Sequence, residues 1–260
     1  MQNMYSLSKF VDSLQQRGRY SFSKREAQSA LAISPVALKF SLNRLIAKKR
    51  IASVKRGFYV IIPVEYMSTG IIPADWFIDD LMKFLGVEYY VGLLSAAALH
   101  GAAEQQPQEF QVVVPVSLRT VQPKDLRIRF AEKKYFNAGS VRQIKTMTGF
   151  MKVSDPAQTA LDLVGYANLC GGMDAIAPII EDLSESITPD SLVSAARSEK
   201  IVAVVQRLGT LLDALRKREL ASALLNELEK KRPAWTPLDP SLPRKGMPWN
   251  DKWRVIENRG

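Results

Sequence analysis

Leu7, Phe10, Val11 and Leu14 fall at i, i+3, i+4 and i+7, the spacing of one apolar helix face, and Gly18 is placed to close that helix in a left-handed cap. Ser23 followed three residues later by Glu26 predicts a capping box, with the Ser oxygen on the Glu26 N–H and the Glu26 carboxylate returning to the Ser23 N–H. A short second helix over residues 24–30 follows. Ser34 and Pro35 form a second start signal, a hydroxyl for orphan N–H groups beside a proline that lacks one, and predict a third helix reaching residue 49. Only residues 31–34 separate the two helices. So short a connection forces the sharp angle of a helix-turn-helix, with Leu31 and Ile33 as turn anchors. Two β-prone runs, residues 51–54 and 58–62, then flank Lys55, Arg56 and Gly57, which predicts a hairpin, or wing, turned by Gly57.

On the third helix, Leu38, Leu42, Leu45 and Ile46 share a face expected to meet the first two helices. The opposite arc carries Val36, Ala37, Phe40, Asn43 and Arg44, with Lys39 at its edge, a mixture of small, amide and guanidinium groups suited to base edges and phosphates. With Ser34, Lys48 and the wing residues Lys55 and Arg56 they make up the candidate DNA-binding set: Ser34, Val36, Ala37, Lys39, Asn43, Arg44, Lys48, Lys55 and Arg56. Phe40 is expected to pack against the wing or a partner rather than meet thymine methyls.

The pattern past residue 63 describes a second unit. Residues 63–73 read as a connection, 75–85 as an amphipathic helix (Trp76, Phe77, Leu81, Phe84, Leu85) and 90–103 as a helix of small residues ending near His100. Strand-like runs follow at 110–114, 126–130, 141–146 and 150–153, the last two joined through Met147, Thr148 and Gly149. From Asp155 and Pro156 the chain turns helical over 157–166, 174–184, 192–197, 202–217 and 220–231. Past residue 232, five prolines alternate with Trp235, Trp249 and Trp253, as in an extended arm pinned by aromatics. The fold class is therefore α+β: an N-terminal winged helix-turn-helix followed by a mixed α/β domain with a helical C-terminal part, divided as residues 1–63, 74–232 and 233–260.

Charge sharpens the picture. Residues 1–63 hold twelve Lys and Arg against Asp12 and Glu26, a surplus of ten. The whole chain has 36 basic and 26 acidic residues, so the remainder carries 24 of each and is formally neutral. A field confined to one small module is what docking on a polyanion requires, because each neutralised phosphate releases counterions. One cysteine, Cys170, and one histidine, His100, exclude disulfide frameworks and Cys/His zinc sites. Cys170 reads as structural, and His100 as a helix-dipole partner or core residue. No apolar run approaches the roughly 20 residues of a membrane span, so the expected location is the cytoplasm, with no membrane partner, no metal and no cofactor.

Four stretches carry a resemblance: the wing at 55–60 (KRGFYV), 89–101 (YYVGLLSAAALHG), 110–115 (FQVVVP) and 153–163 (VSDPAQTALDL). In this order they resemble the AbiEi family, transcriptional-regulator antitoxins of bacterial abortive-infection toxin–antitoxin systems. The resemblance implies a winged-helix domain that represses its own operon and a C-terminal domain that counters a nucleotidyltransferase toxin without requiring a stable complex with it. It implies no enzymatic activity. Double-stranded operator DNA, in inverted repeats read by two copies, is the expected partner. The competing reading is a Mg-dependent nuclease, since Asp125 followed by Glu132 and Lys134 mimics an acid…acid-x-Lys pattern. Against it, the spacing is short and Arg127 and Arg129 intervene. A protein-interaction module that uses the wing as its contact is a third.

Overall fold

The computed structural model describes residues 6–102, 107–137, 139–231 and 233–258. The expected helix end at Ala103 and the outer limits of the terminal units lie outside them. The front of the chain runs α1 (Leu7–Gln16), β1 (Ser21–Ser23), α2 (Lys24–Leu31), α3 (Pro35–Ala47), β2 (Ile51–Lys55) and β3 (Phe58–Ile61). Ser23 accepts the Glu26 N–H at 3.0 Å and Ser34 accepts the Ala37 N–H at 3.2 Å, so both helix starts form on local signals. Between α2 and α3 the chain bends by 116°, with Leu31 and Ile33 packed on the core of Leu7, Phe10, Val11, Leu14, Leu38 and Leu42. β2 and β3 pair antiparallel around Gly57, whose φ of +87° is one that a side chain would oppose. β1 joins the outer side of β3 to give the order β1-β3-β2. The front unit is thus a sharply bent helix pair on α1, followed by an antiparallel hairpin.

The body is built on a five-stranded sheet. Its elements are α4 (Ile78–Leu85), β4 (Tyr90–Val91), α5 (Leu93–Leu99), β5 (Phe110–Val114), β6 (Ile128–Glu132), β7 (Val141–Lys145), β8 (Phe150–Ser154), α6 (Pro156–Gly165), α7 (Met173–Ser184), α8 (Pro189–Ser198), α9 (Val202–Ala214) and α10 (Arg218–Glu229). The strand order is β6-β5-β4-β8-β7, with β5–β6 and β4–β8 parallel and the other pairs antiparallel. Period-two alternation sends Tyr90 and Val113 into a core with α5 to α10, and Val91, Val112 and Val114 into a second core on the opposite face. That second core takes in α4 and also Ala52, Val54, Phe58, Val60 and Ile62 of the wing region. Ser21 adds a polar stitch, its hydroxyl donating to Asp80 at 2.6 Å.

The Pro/Trp stretch forms β9 (Thr236–Pro237), β10 (Trp249–Asn250) and β11 (Val255–Ile256), in the order β10-β11-β9. Trp253 is fully buried against α9, where a Cβ on Gly209 would come within 2.0 Å of its ring. Its indole N–H donates to Asp213 at 2.6 Å. No single helix among the described residues is long and apolar enough to cross a membrane.

Five expectations need correction. Glu26 does not return to the Ser23 N–H: its carboxylate takes both arms of Arg19, at 2.7 and 3.2 Å, because a two-pronged charge-assisted pair outcompetes one backbone donor. Ile46 stands 38% exposed, off the buried row of α3. Phe40 does not pack on the wing but is 65% exposed. Tyr90 and Val91 form a strand held between β5 and β8, so the small-residue helix starts only at Leu93. The strand expected at 126–130 lies at Ile128–Glu132, since Leu126 is held in a turn by its N–H to the Pro123 carbonyl.

Candidate nucleic-acid interface

α3 divides cleanly. Leu38, Leu42 and Leu45 are 0, 3 and 7% exposed, while Ala37, Lys39, Asn43 and Arg44 face solvent beside Val36 at 63% and Phe40 at 65%. Helical spacing explains the division, because positions 36, 40, 43 and 44 lie roughly opposite 38, 42 and 45. Lys48 is exposed at the C-terminal end of the helix. Ser34 is exposed too, but its hydroxyl is engaged in capping α3. Lys55 and Arg56 are not on this arc. They sit at the turn of the hairpin, where the Gly57 carbonyl accepts the Lys24 N–H at 2.7 Å, so the wing tip adjoins the start of α2.

That contact brings in two cations the sequence reading passed over, Lys24 and Arg25. The only signal for them was a position directly after the Ser23 cap. The strand that carries them to the wing, β1, is too short to show a periodicity.

The module's two carboxylates are both occupied. Asp12 accepts from Arg50 at 2.5 Å, and Glu26 holds Arg19 and raises its pKa further above the usual guanidinium value. Lys9, Arg17, Lys24, Arg25, Lys39, Arg44, Lys48, Lys49, Lys55 and Arg56 form no ion pair among the described residues. Guanidinium, ammonium and amide groups left without ionic partners have the chemistry to bond phosphate oxygens and base edges.

A second polar centre lies inside the body. Lys133 bridges Asp162 at 2.7 Å and Glu199 at 3.2 Å, and Asp162 also accepts from Tyr90 and Gln158, each at 2.9 Å. Burial pushes the Asp162 carboxyl up, opposed by Lys133 and by these hydrogen bonds. Burial likewise raises Tyr90, with Asp162 adding to the rise. The centre borders a cavity of about 120 Å³. Its donors and acceptors are mutually satisfied, which suits a positioning role. It also consumes the lysine next to the nuclease-like pattern: Lys133 points inward while Asp125, Glu132 and Lys134 are exposed. Among the described residues no group of three or more His, Cys, Asp or Glu is placed to hold a metal ion. His100 caps α5, with Nε2 at 2.7 Å from the Ser154 carbonyl. Cys170 is buried, and desolvation pushes its thiol up to about 12, so it stays protonated and unreactive near neutrality.

Comparison with known proteins adds two findings. Residues 90–214 match the model of the AbiEi antitoxin C-terminal domain. This range runs from the first residue of β4 to the last of α9, and takes in the stretches at 110–115 and 153–163 and nearly all of 89–101, but not the wing. The crystal structure of the RV2827C protein from Mycobacterium tuberculosis has a similar fold, with a TM-score of 0.68 at 13% identity over 96% of this chain and 90% of that one. No curated protein matches the sequence.

Proposed function

From the match of residues 90–214 to the AbiEi antitoxin C-terminal domain, we propose that this chain is an antitoxin and a DNA-binding repressor of its own operon, and that the toxin it counters is a nucleotidyltransferase. DNA binding is assigned to residues 1–63, with α3 in the major groove and the wing on flanking phosphates or the minor groove. The antitoxin function is assigned to residues 74–232, with no stable contact to the toxin required. The observation that carries the DNA assignment is the set of ten cations of this module that form no ion pair among the described residues, together with the exposed arc of α3. The body beyond is formally neutral, so the field has one direction. Two copies on inverted half-sites, in the cytoplasm, complete the reading.

The test is a titration with duplex from the chain's own promoter against random duplex of equal length, over a range of salt. A preference for the promoter, with affinity falling steeply as salt rises, is expected. Equal binding to both duplexes would refute the repressor. Co-expression with the nucleotidyltransferase-like neighbour in the operon tests the other half: growth arrest should be relieved by the full chain. Continued arrest would remove the toxin assignment.

A further inference from the structure

Val36 and Phe40 are an anomaly on an otherwise cationic surface. They stand 63 and 65% exposed one helical turn apart, with Ala37 beside them and Asn43 and Arg44 following on the same arc. Other aromatics of this module have ring partners: Phe10 with Phe22, Phe22 with Tyr59, Tyr20 with Trp76 and Phe58 with Phe84. Phe40 has none among the described residues. The apolar residues of the hairpin pack in the core shared with α4 and the sheet, in which Phe40 has no part. Leaving two large apolar side chains in water carries a cost that a partner surface removes.

The geometry points to thymine as that partner: we propose that Val36 and Phe40 read the C5-methyl groups of thymines in the major groove, beside bases contacted by Asn43 and Arg44. This rests on the DNA-binding reading and assigns the base class. Among the four bases only thymine presents a methyl group in the major groove, and it is met by apolar side chains. A second copy of the chain is a poorer fit. Face-to-face association would bring Lys39, Arg44 and Lys48 of both copies together, and both carboxylates of the module are already committed to Arg19 and Arg50. A polyanion lined with methyl groups satisfies the charges and the apolar stripe together.

The experiment uses the full chain and duplexes enriched by it from a random-sequence pool. In the enriched site each thymine of the protected bases is replaced singly by deoxyuridine, which removes the methyl and keeps every hydrogen-bonding group. At least one replacement should weaken wild-type binding about fourfold, the worth of one buried methyl-sized group. Phe40→Ala or Val36→Ala should then bind the thymine and deoxyuridine duplexes equally, and Phe40→Leu should restore part of the discrimination. Both side chains are exposed, so the variants should melt as the wild type does, and Lys39→Ala should weaken both duplexes alike. An enriched site at which wild type ignores every thymine-to-deoxyuridine change overturns this inference and leaves the repressor standing. Failure to enrich any duplex overturns both. Dimerisation in sedimentation without DNA, lost in Phe40→Ala, would give the stripe to a second copy instead and also overturn it.

Discussion

Asn43 and Arg44 stand exposed on α3, the helix the proposal sets in the major groove, whereas Lys55 sits at a hairpin turn beside the start of α2. Asn43→Ala and Arg44→Ala should each cost about 1–3 kcal/mol on the cognate site and relax base preference. Lys55→Ala should weaken cognate and random duplex by the same factor. Fluorescence anisotropy on both duplexes checks this division, and equal losses for all three variants would contradict it. In the body, a Cβ at Gly209 collides with the Trp253 ring. Gly209→Ala should therefore cost about 1–3 kcal/mol or more, read as a lower melting temperature, because a packed core cannot absorb the added volume. Residues whose role is local were legible in the sequence. Ser23, Ser34 and Asp155 bond to N–H groups three positions on, a distance fixed by helical geometry alone. Arg19 on Glu26, Gly209 under Trp253, and Lys133 between Asp162 and Glu199 were not legible, because nothing in the sequence announces a partner that folding brings from elsewhere.

α8 and α10 are clasped by one carboxylate, Glu227, which accepts from Arg197 at 2.8 Å and from Lys230 at 2.5 Å. Hydrogen bonds from Arg197 and then Lys230 hold its pKa down at about 2, below the ordinary glutamate range. A depressed carboxylate stabilises the fold above its unfolded value and loses that contribution as pH falls through the folded one. The melting temperature of Glu227→Gln should thus lie below wild type at neutral pH and converge on it as pH drops toward 2. A pH-independent gap would show that Glu227 acts through something other than charge. Longer elements declared themselves. α1, α3 and the β2–β3 hairpin have enough residues for a period to repeat, and their limits fall within two residues of those expected. β4 does not. Two residues carry no period, and Tyr90 and Val91 run straight into a string of alanines, so only their pairing with β5 and β8 makes them a strand.

At the scale of the molecule, the wing region shares its core with α4 and the sheet, through Phe58, Val60 and Ile62 and the Phe58–Phe84 ring contact at 5.3 Å. Phe58→Ala should cost about 3–5 kcal/mol and lower a single calorimetric transition of the whole chain. Two separate transitions, only one of them shifted, would show the units to be independent. Residues 1–63 expressed alone should expose this apolar face and bind a hydrophobic dye. Composition and charge located the basic module and the α+β body, but could not show that they share a core, because a buried wing valine and a buried sheet valine look alike in sequence.

The seat of Trp253 bears on how the molecule is made. The ring arrives 40 positions after Asp213, the residue that receives its N–H. While those positions are still inside the ribosomal tunnel, α9 faces water with an unfilled socket at Gly209. The nascent chain therefore cannot close its largest core until this late stretch emerges, and a protease that trims the stretch from the finished protein would reopen that socket.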